Sequence, residues 1–224
     1  MDLSDRARRF AALGDPLRLA IVDHLLTTDC SPRDLCLRHG VPSNLLNHHL
    51  DILETSGIIR RTRSSGDRRL RYVSLVPDAL PCVQSSRGNR YRRPLFVCTQ
   101  NSARSQLAAA LWLSVTGSRA GSAGTHPAER VNAKAVAAAR RAGLDISGQV
   151  PRLIDESDAD ADVVITVCDR ANEELADVGN RIHWSVSDPV EAGTVRAFDA
   201  VMTDLETRIR RLVHNATTEE GEKP

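Results

Sequence analysis

The chain has 224 residues, 41% of them hydrophobic and 3% aromatic, which is typical of a soluble globular protein with one large or two small domains. It has no run of about 18 apolar residues and no charged start followed by an apolar stretch, so we expect a cytoplasmic protein without a membrane span. The net charge of +1 hides an uneven distribution. Residues 1–94 carry 16 basic and 10 acidic residues, a net charge of +6, whereas residues 95–224 carry 14 basic and 19 acidic residues, a net charge of −5. A basic half joined to an acidic half predicts two domains, one of which binds a polyanion.

The domain boundary is predicted where Pro, Ser, Gly and Arg accumulate, in the stretch PDALPCVQSSRGNRYRRP (77–94). We therefore expect a first domain over 1–80, a linker over 81–94 and a second domain over 95–215. The polar residues 216–224 are predicted to be a disordered tail. Five cysteines without a close C-x-x-C pair indicate free thiols for redox or soft-metal chemistry rather than a disulfide scaffold.

Four amphipathic helices are predicted in the first half, because apolar residues recur there at helical spacing over 5–14, 17–27, 31–39 and 43–56. Ser31 is a candidate N-cap, with Pro32 at the first helical position. Gly40 is expected to end that helix, and Ser43 to cap the next. Two short helices joined by such a turn form a helix-turn-helix.

A β-hairpin is predicted after these helices, over residues 57–75, with its turn at Ser65, Gly66 and Asp67. Its arms carry arginines that can follow a line of phosphates: Arg60, Arg61, Arg63, Arg68, Arg69 and Arg71. A hairpin after a helix-turn-helix predicts a mainly α-helical winged helix-turn-helix domain.

The stretches ALGDPLRLAIVDHLL and LLNHHLDILETSGII, with the hairpin after them, resemble the ArsR/SmtB family of metal-responsive repressors over residues 5 to about 76. The resemblance implies a homodimer that binds operator DNA and releases it when a thiophilic metal or metalloid binds. The helix 43–56 would enter the major groove. The expected DNA-contacting residues are Ser43, Asn44, Asn47, His48, Arg61, Arg63, Arg68 and Arg69.

The same resemblance raises the question of an arsenite site, since relatives place arsenite-binding thiols near the start of the helix-turn-helix. Soft thiolates suit As(III), and Cys30 and Cys36, with Cys82 as a third ligand, are the candidates. The alternative is that these cysteines are structural.

The second half alternates strands and helices, which predicts an α/β domain with a parallel sheet. Strands are expected over 95–98, 119–124, 162–167 and 181–185, and helices over 104–116, 131–142, 171–178 and 195–214. Ligands bind such sheets beyond the carboxyl ends of the strands. Cys98 and Cys168 end two of the strands, so both thiols face one crevice if those strands are neighbours. Asp188 follows the fourth strand at the same edge.

The stretch CTQNSARS joins the first of these strands to a helix, where successive N–H groups form an anion site. Arg104 can bind two oxygens of a tetrahedral anion, and the same positive field favours the thiolate form of Cys98. Ser105 can donate a hydrogen bond to the sulfur. The remaining residues predicted to bind the oxyanion are Thr99, Gln100, Asn101, Ser102 and Ala103.

These features resemble the low-molecular-weight protein tyrosine phosphatase superfamily over residues 95 to about 213. Within that superfamily, the motifs VCTQNSARSQLA, DVVITVCD and HWSVSDP are most similar to the arsenate reductases. Aromatic walls for a phosphotyrosine are missing, since Val190 and Glu191 follow Asp188-Pro189. Cys168 supplies a second thiol, which reduction requires and phosphate hydrolysis does not.

The resemblance implies that Cys98 attacks arsenate while Asp188 protonates the departing oxygen. Cys168 would then attack the Cys98 sulfur and release arsenite, which leaves a disulfide. Some relatives have a third cysteine where this chain has Leu175. The recycling reductant is therefore open between thioredoxin and a small thiol such as mycothiol or glutathione, and no tightly bound cofactor is expected.

The leading interpretation is a fusion of an arsenite-responsive repressor with a thiol-dependent arsenate reductase. One alternative is a phosphatase-like hydrolase fused to a DNA-binding regulator. A second is an oxyanion sensor without catalytic activity.

Overall fold

The computed structural model describes residues 2–77, 79, 91–175 and 180–217. The chain divides into two compact units, which are described separately. The smaller contains four helices and a two-stranded sheet, and the larger contains a four-stranded sheet with its helices. The predicted linker residues 81–90, including Cys82, and the predicted tail residues 218–224 lie outside the described residues.

The smaller unit is mainly helical, with a hairpin at its end. Its elements are α1 (Leu3–Leu13), α2 (Pro16–Leu25), α3 (Pro32–His39), α4 (Ser43–Thr55), β1 (Ile59–Arg63) and β2 (Arg71–Leu75). β1 and β2 pair antiparallel, from Ile59 opposite Leu75 to Arg63 opposite Arg71.

The turn between α3 and α4 follows from local sequence. The Ser31 hydroxyl accepts a hydrogen bond from the Asp34 N–H at 3.2 Å, so Ser31 is the predicted N-cap of α3. Gly40 ends this helix with a φ of 64°, in the left-handed region that glycine adopts without strain. The expected cap at Ser43 is wrong: α4 begins at Ser43 itself, and Pro42 occupies the N-cap position without a side-chain hydrogen bond.

The core of the smaller unit forms around α4. Leu46, Leu50 and Leu53 recur at intervals of four and three residues and are fully buried, because that spacing places them on one face of the helix. Outside the hairpin, the Cys30 backbone pairs with Val73 of β2 through two hydrogen bonds of 3.2 and 2.8 Å. The hairpin is thereby joined to the segment that precedes α3.

The larger unit is an α/β fold. Its strands are β3 (Pro94–Cys98), β4 (Gly121–Gly124), β5 (Val163–Thr166) and β6 (Arg181–His183). Its helices are α5 (Arg104–Thr116), α6 (Ala133–Arg141), α7 (Asp169–Glu174), α8 (Pro189–Ala192) and α9 (Val195–Thr217), with a 3-10 turn over Glu156–Asp160. The sheet order is β4-β3-β5-β6 and every pair is parallel. The prediction of a four-stranded parallel sheet flanked by helices is confirmed.

Several boundaries differ from the sequence prediction. α7 begins at Asp169 rather than at 171, because the Cys168 sulfur accepts the Ala171 N–H and Cys168 acts as the N-cap. The helix ends at Glu174, and residues 176–178 of the predicted helix lie outside the described residues. α8 was not predicted; the Asp188 carboxylate caps it by accepting the Val190 N–H at 2.8 Å. α9 continues to Thr217, so the first two residues of the predicted tail are helical. Within the described ranges, no helix is both long enough and apolar enough to cross a membrane.

Candidate active site

Cys98 is the last residue of β3 and is 3% exposed. Its sulfur lies 3.1 Å from the Ser105 hydroxyl oxygen and accepts the Asn101 N–H at 3.2 Å. Ser105 lies in the first turn of α5, directly after the loop that joins the strand to the helix. Two hydrogen-bonding groups therefore contact the sulfur, one from the loop and one from the helix.

The loop holds this shape through Asn101, whose φ of 48° is the only positive value among the described residues other than glycine. Asn101 is fully buried, and its Nδ2 donates to the Ser105 hydroxyl at 2.8 Å. Its Oδ1 accepts the Arg152 N–H at 3.0 Å and a side-chain N–H of Gln106 at 3.1 Å.

Gly124, at the end of β4, packs directly against this loop. A Cβ at Gly124 would lie 2.7 Å from the Thr99 carbonyl oxygen and 2.9 Å from the Asn101 nitrogen, so any other residue would displace the loop backbone. The loop is therefore held in two ways: its backbone packs closely against Gly124, and its own residue Asn101 forms hydrogen bonds to the residues around it.

Arg104 begins α5 and is 8% exposed. One guanidinium nitrogen donates to the Val186 carbonyl at 2.9 Å, and another donates to the Asp188 carboxylate at 2.7 Å. Residues far apart in sequence are thus joined at the carboxyl edge of the sheet, the edge at which the sequence predicted a ligand to bind. These two hydrogen bonds hold the planar guanidinium in one orientation, in which Arg104 lines the same pocket as the loop after Cys98.

Cys168 lies just beyond β5, which pairs with β3 from Pro94 opposite Val163 to Val97 opposite Thr166. Its sulfur is 3.4 Å from the Thr99 hydroxyl. Burial raises the pKa of the Cys168 thiol, the Arg104 charge opposes that shift, and a negative charge on Cys98 reinforces it. A negative charge on Cys98 therefore disfavours the thiolate form of Cys168.

A pocket opens above this loop, and most of the predicted oxyanion-binding residues line it. Its lining includes Cys98, Thr99, Gln100, Ser102, Ala103, Arg104, Arg170, Asp188, Val190 and Glu191. Asn101 lies behind the loop as a support. Arg170 was not predicted, although it follows Cys168 by only two residues; it is exposed and its Nε donates to Glu174 at 2.8 Å. A second cation therefore stands at the rim of the pocket.

A buried polar pair lies next to Cys168. The Asp169 carboxylate is 3.2 Å from His183 Nε2, and His183 Nδ1 is 2.9 Å from the Thr166 hydroxyl. Burial acts to raise the pKa of Asp169, but hydrogen bonds such as that with His183 outweigh it and hold the pKa below its usual value. The pair fixes the first turn of α7 to the ends of β5 and β6.

In the smaller unit, the predicted DNA-contacting side chains of α4 are all exposed: Ser43, Asn44, Asn47 and His48. Arg63, Arg68 and Arg69 of the hairpin are exposed as well. Arg61 differs, since its guanidinium contacts Asp51 and Glu54 at 2.5 Å each and its side chain is 19% exposed. Those ion pairs join the hairpin to α4.

The predicted arsenite ligands are partly buried. The Cys30 sulfur is 3.0 Å from His24 Nε2, and burial, followed by the charges of Asp34 and Asp29, raises the pKa of the Cys30 thiol to about 12. Cys36 packs against the helical core. Across the described ranges, no three His, Cys, Asp or Glu side chains are grouped as a metal ion requires. The third thiol of the prediction, Cys82, lies outside those ranges.

The larger unit thus has a parallel α/β fold with a cysteine, an arginine and a tight loop at the carboxyl edge of its sheet, the arrangement of a thiol-bearing anion site. The family described as low molecular weight phosphotyrosine protein phosphatase matches residues 93–222, more than half of the chain, and the protein belongs to that family. The match begins directly before β3, so the smaller unit lies outside it.

Two curated relatives are arsenate reductases. The arsenate reductase of Brevibacillus brevis is 34% identical over 122 residues, which cover 52% of this chain and 90% of the relative. Arsenate reductase 1 of Bacillus cereus is 35% identical over 123 residues with the same coverage. The tyrosine phosphatase Wzb from Escherichia coli K30, solved in complex with sulphate, has a TM-score of 0.51 at 20% identity. It covers 56% of this chain and 98% of its own, and supports the fold alone.

Proposed function

We propose that the protein is a thiol-dependent arsenate reductase fused to an arsenite-responsive DNA-binding repressor. The observation that carries the enzymatic part is the second thiol. Cys168 is buried beside the loop that presents Cys98, at hydrogen-bond distance from Thr99. A hydrolase of phosphate esters has no use for that thiol, whereas a two-electron reduction needs a pair of thiols. The names of the relatives agree with this assignment.

The first step uses the donors around Cys98. Arsenate, a tetrahedral oxyanion, would bind between the loop and Arg104, and the Cys98 thiolate would attack arsenic. Asp188, 2.7 Å from an Arg104 nitrogen, would deliver a proton to the departing oxygen, which leaves as water. The product is a covalent bond between the Cys98 sulfur and arsenic(V).

The second step uses the coupling between the thiols. Burial raises the pKa of the Cys168 thiol above its usual value, and a negative charge on Cys98 raises it further. Once Cys98 has bonded to arsenic, that repulsion ends and the Arg104 charge favours the Cys168 thiolate. Cys168 then attacks the Cys98 sulfur, the sulfur–arsenic bond breaks, and its electron pair stays on arsenic as arsenite. The resulting Cys98–Cys168 disulfide needs an external thiol reductant, and Leu175 leaves open whether this is thioredoxin or a small thiol.

The DNA-binding part of the proposal rests on the smaller unit. α4 buries Leu46, Leu50 and Leu53 and exposes short polar side chains along its other side, as a helix that reads a major groove requires. Exposed arginines on the hairpin can contact phosphates. We propose an operator-bound homodimer that arsenite releases through Cys30 and Cys36.

Mass spectrometry after treatment with arsenate tests the enzymatic part. A Cys98–Cys168 disulfide, or an adduct of Cys98 with a small thiol, supports reduction. A phosphorylated Cys98 after incubation with aryl phosphate, with no disulfide after arsenate, supports the hydrolase. The absence of both supports an oxyanion sensor. Cys98→Ser is expected to abolish reduction and leave DNA binding intact, and Cys36→Ser, a cysteine change in the smaller unit, is expected to leave reduction intact.

The regulatory part is tested by fluorescence anisotropy of the operator complex. Arsenite is expected to release the wild-type protein without further additions, whereas arsenate should do so only with a reductant and an intact Cys98. Cys36→Ser should remain bound to DNA in arsenite. If arsenite at concentrations that saturate the accessible thiols leaves the wild-type complex intact, Cys30 and Cys36 are structural and the repressor is not arsenite-responsive.

A further inference from the structure

Gln106 in the first turn of α5 has no part in the mechanism above, yet it is 3% exposed. Its Nε2 donates to the Asn101 carbonyl oxygen at 3.2 Å and to the Asn101 Oδ1 at 3.1 Å. Both acceptors belong to the one described residue outside glycine with a positive φ. The side-chain amide of Gln106 therefore bonds both the backbone and the side chain of Asn101, the residue with the unfavourable backbone conformation.

The conformation of Asn101 matters because its own N–H donates to the Cys98 sulfur. A left-handed backbone is less favourable for asparagine than the common right-handed regions, so it persists only where its surroundings determine it. The Arg152 N–H and the Asn101–Ser105 bond hold the side chain. Gln106 additionally holds the Asn101 carbonyl.

We propose that Gln106 is a positioning residue for Cys98, which acts by keeping Asn101 in the conformation that directs its N–H at the sulfur. The inference rests on the proposed function only in that Cys98 is the reacting thiol. Gln106 touches neither the sulfur nor the oxyanion pocket. On its other side it lines a cavity of about 660 Å³ together with Gln149, which is exposed and makes no contact with Asn101 in the hydrogen bonds described above, so Gln149 controls for the substitution at a neighbouring position.

The test compares Gln106→Met with Gln149→Met. Methionine has nearly the length of glutamine but no donor, so it leaves two buried acceptors of Asn101 without their shared partner. We expect alkylation of Cys98 by iodoacetamide at pH 7 to slow about tenfold, the order of effect that loss of a hydrogen bond to a buried acceptor produces. Peptide mass spectrometry reports on Cys98 alone, and thermal melts report on folding. Gln149→Met is expected to alkylate at the wild-type rate.

Gln106→Glu provides a second test that a purely structural role does not explain. An ionised glutamate would face two acceptor oxygens, whereas a protonated one can donate to one of them, and burial favours the protonated form. The alkylation rate of Gln106→Glu relative to wild type should therefore rise as the pH falls from 8 to 6. Gln149→Glu, at an exposed position on the same cavity, should show no such rise.

Two results would overturn the inference: wild-type alkylation in Gln106→Met, or a pH profile of Gln106→Glu that matches Gln149→Glu. If Gln106→Met does not fold, the pH dependence of Cys98 alkylation in Gln106→Glu tests the inference instead. Alkylation does not depend on arsenate, so this outcome is separate from that of the proposed function. If the wild-type protein fails to reduce arsenate but the Gln106 variants alkylate slowly, the reductase proposal is wrong and the positioning role of Gln106 still holds.

Discussion

Arg104→Lys is the substitution for which the structure predicts the most specific loss. Arg104 is buried and directs two guanidinium nitrogens at once, to the Val186 carbonyl at 2.9 Å and to the Asp188 carboxylate at 2.7 Å. A lysine ammonium is a point charge on a flexible stem and cannot reproduce this fixed fork. The variant keeps the positive charge but loses at least one charge-assisted hydrogen bond that orients the anion and Asp188.

The loss of one such bond is worth about 1.5–3 kcal/mol. If it is felt in the transition state, kcat/KM for arsenate should fall roughly 10- to 150-fold, since about 1.4 kcal/mol corresponds to a factor of ten. Steady-state kinetics with reductant in excess give kcat and KM separately. Because Asp188 is displaced together with the guanidinium, we expect kcat to fall as well as KM to rise.

The matched control is Arg119→Lys, an exposed arginine of the same unit, which should retain wild-type kinetics. Thermal melts of both variants separate a folding defect from a catalytic one. An Arg104→Lys enzyme that folds and stays within twofold of the wild-type kcat/KM would refute the argument, because the bidentate geometry would then contribute nothing to catalysis.

Three further outcomes follow from the structure. The pKa of Asp169 lies below its ordinary value of 3.8, so its ionised form stabilises the fold at higher pH and this contribution is lost as the pH falls through the folded pKa. The difference in urea midpoint between wild type and Asp169→Asn should therefore shrink between pH 6 and pH 3, whereas the exposed Asp160→Asn should show no such trend. Replacing Arg68 and Arg69 by alanine should reduce the salt dependence of DNA binding by about one unit of slope per arginine, and an unchanged slope would remove the hairpin from the DNA contact. Since the pKa of Cys30 is raised to about 12, iodoacetamide at pH 8 should label it far more slowly in the native protein than in urea, and equal rates would show that the thiol is open to solvent.

The sequence alone predicted the helices whose ends are set by neighbouring residues. α5 covers the predicted residues 104–116, because an apolar repeat runs from the loop to Gly117, which ends the helix in the left-handed region. α3 begins after Ser31 and ends at Gly40 as predicted. The alternation of strands and helices predicted a parallel sheet but not the order of its strands. That Cys98 and Cys168 end neighbouring strands was a condition of the prediction, and the pairing of β3 with β5 meets it.

What the sequence did not predict depends on contacts between distant residues. Arg61 was assigned to phosphates with the other hairpin arginines, yet it contacts Asp51 and Glu54, which the strand β1 brings alongside it. The pairing of Asp169 with His183 joins α7 to β6, and its two residues are too far apart in the sequence for a local pattern to predict it. The support of Asn101 by Gln106 is invisible in a pattern because glutamine in a first helical turn is ordinarily a solvated residue.

The glycine that ends β4 restricts where a redox partner for Cys98 can be placed. Adjacent strands lie about 4.8 Å apart, and a disulfide requires Cα atoms roughly 4.4–6.8 Å apart, so the end of a strand beside β3 is within reach of Cys98. On the β4 side, Gly124 leaves no room for a side chain of any kind against the Thr99 carbonyl. β6 lies one strand too far away. The segment that follows β5 is the remaining position beside β3, and it is occupied by Cys168. In this chain the end of β5 is therefore the neighbouring strand end that can hold a second thiol beside Cys98.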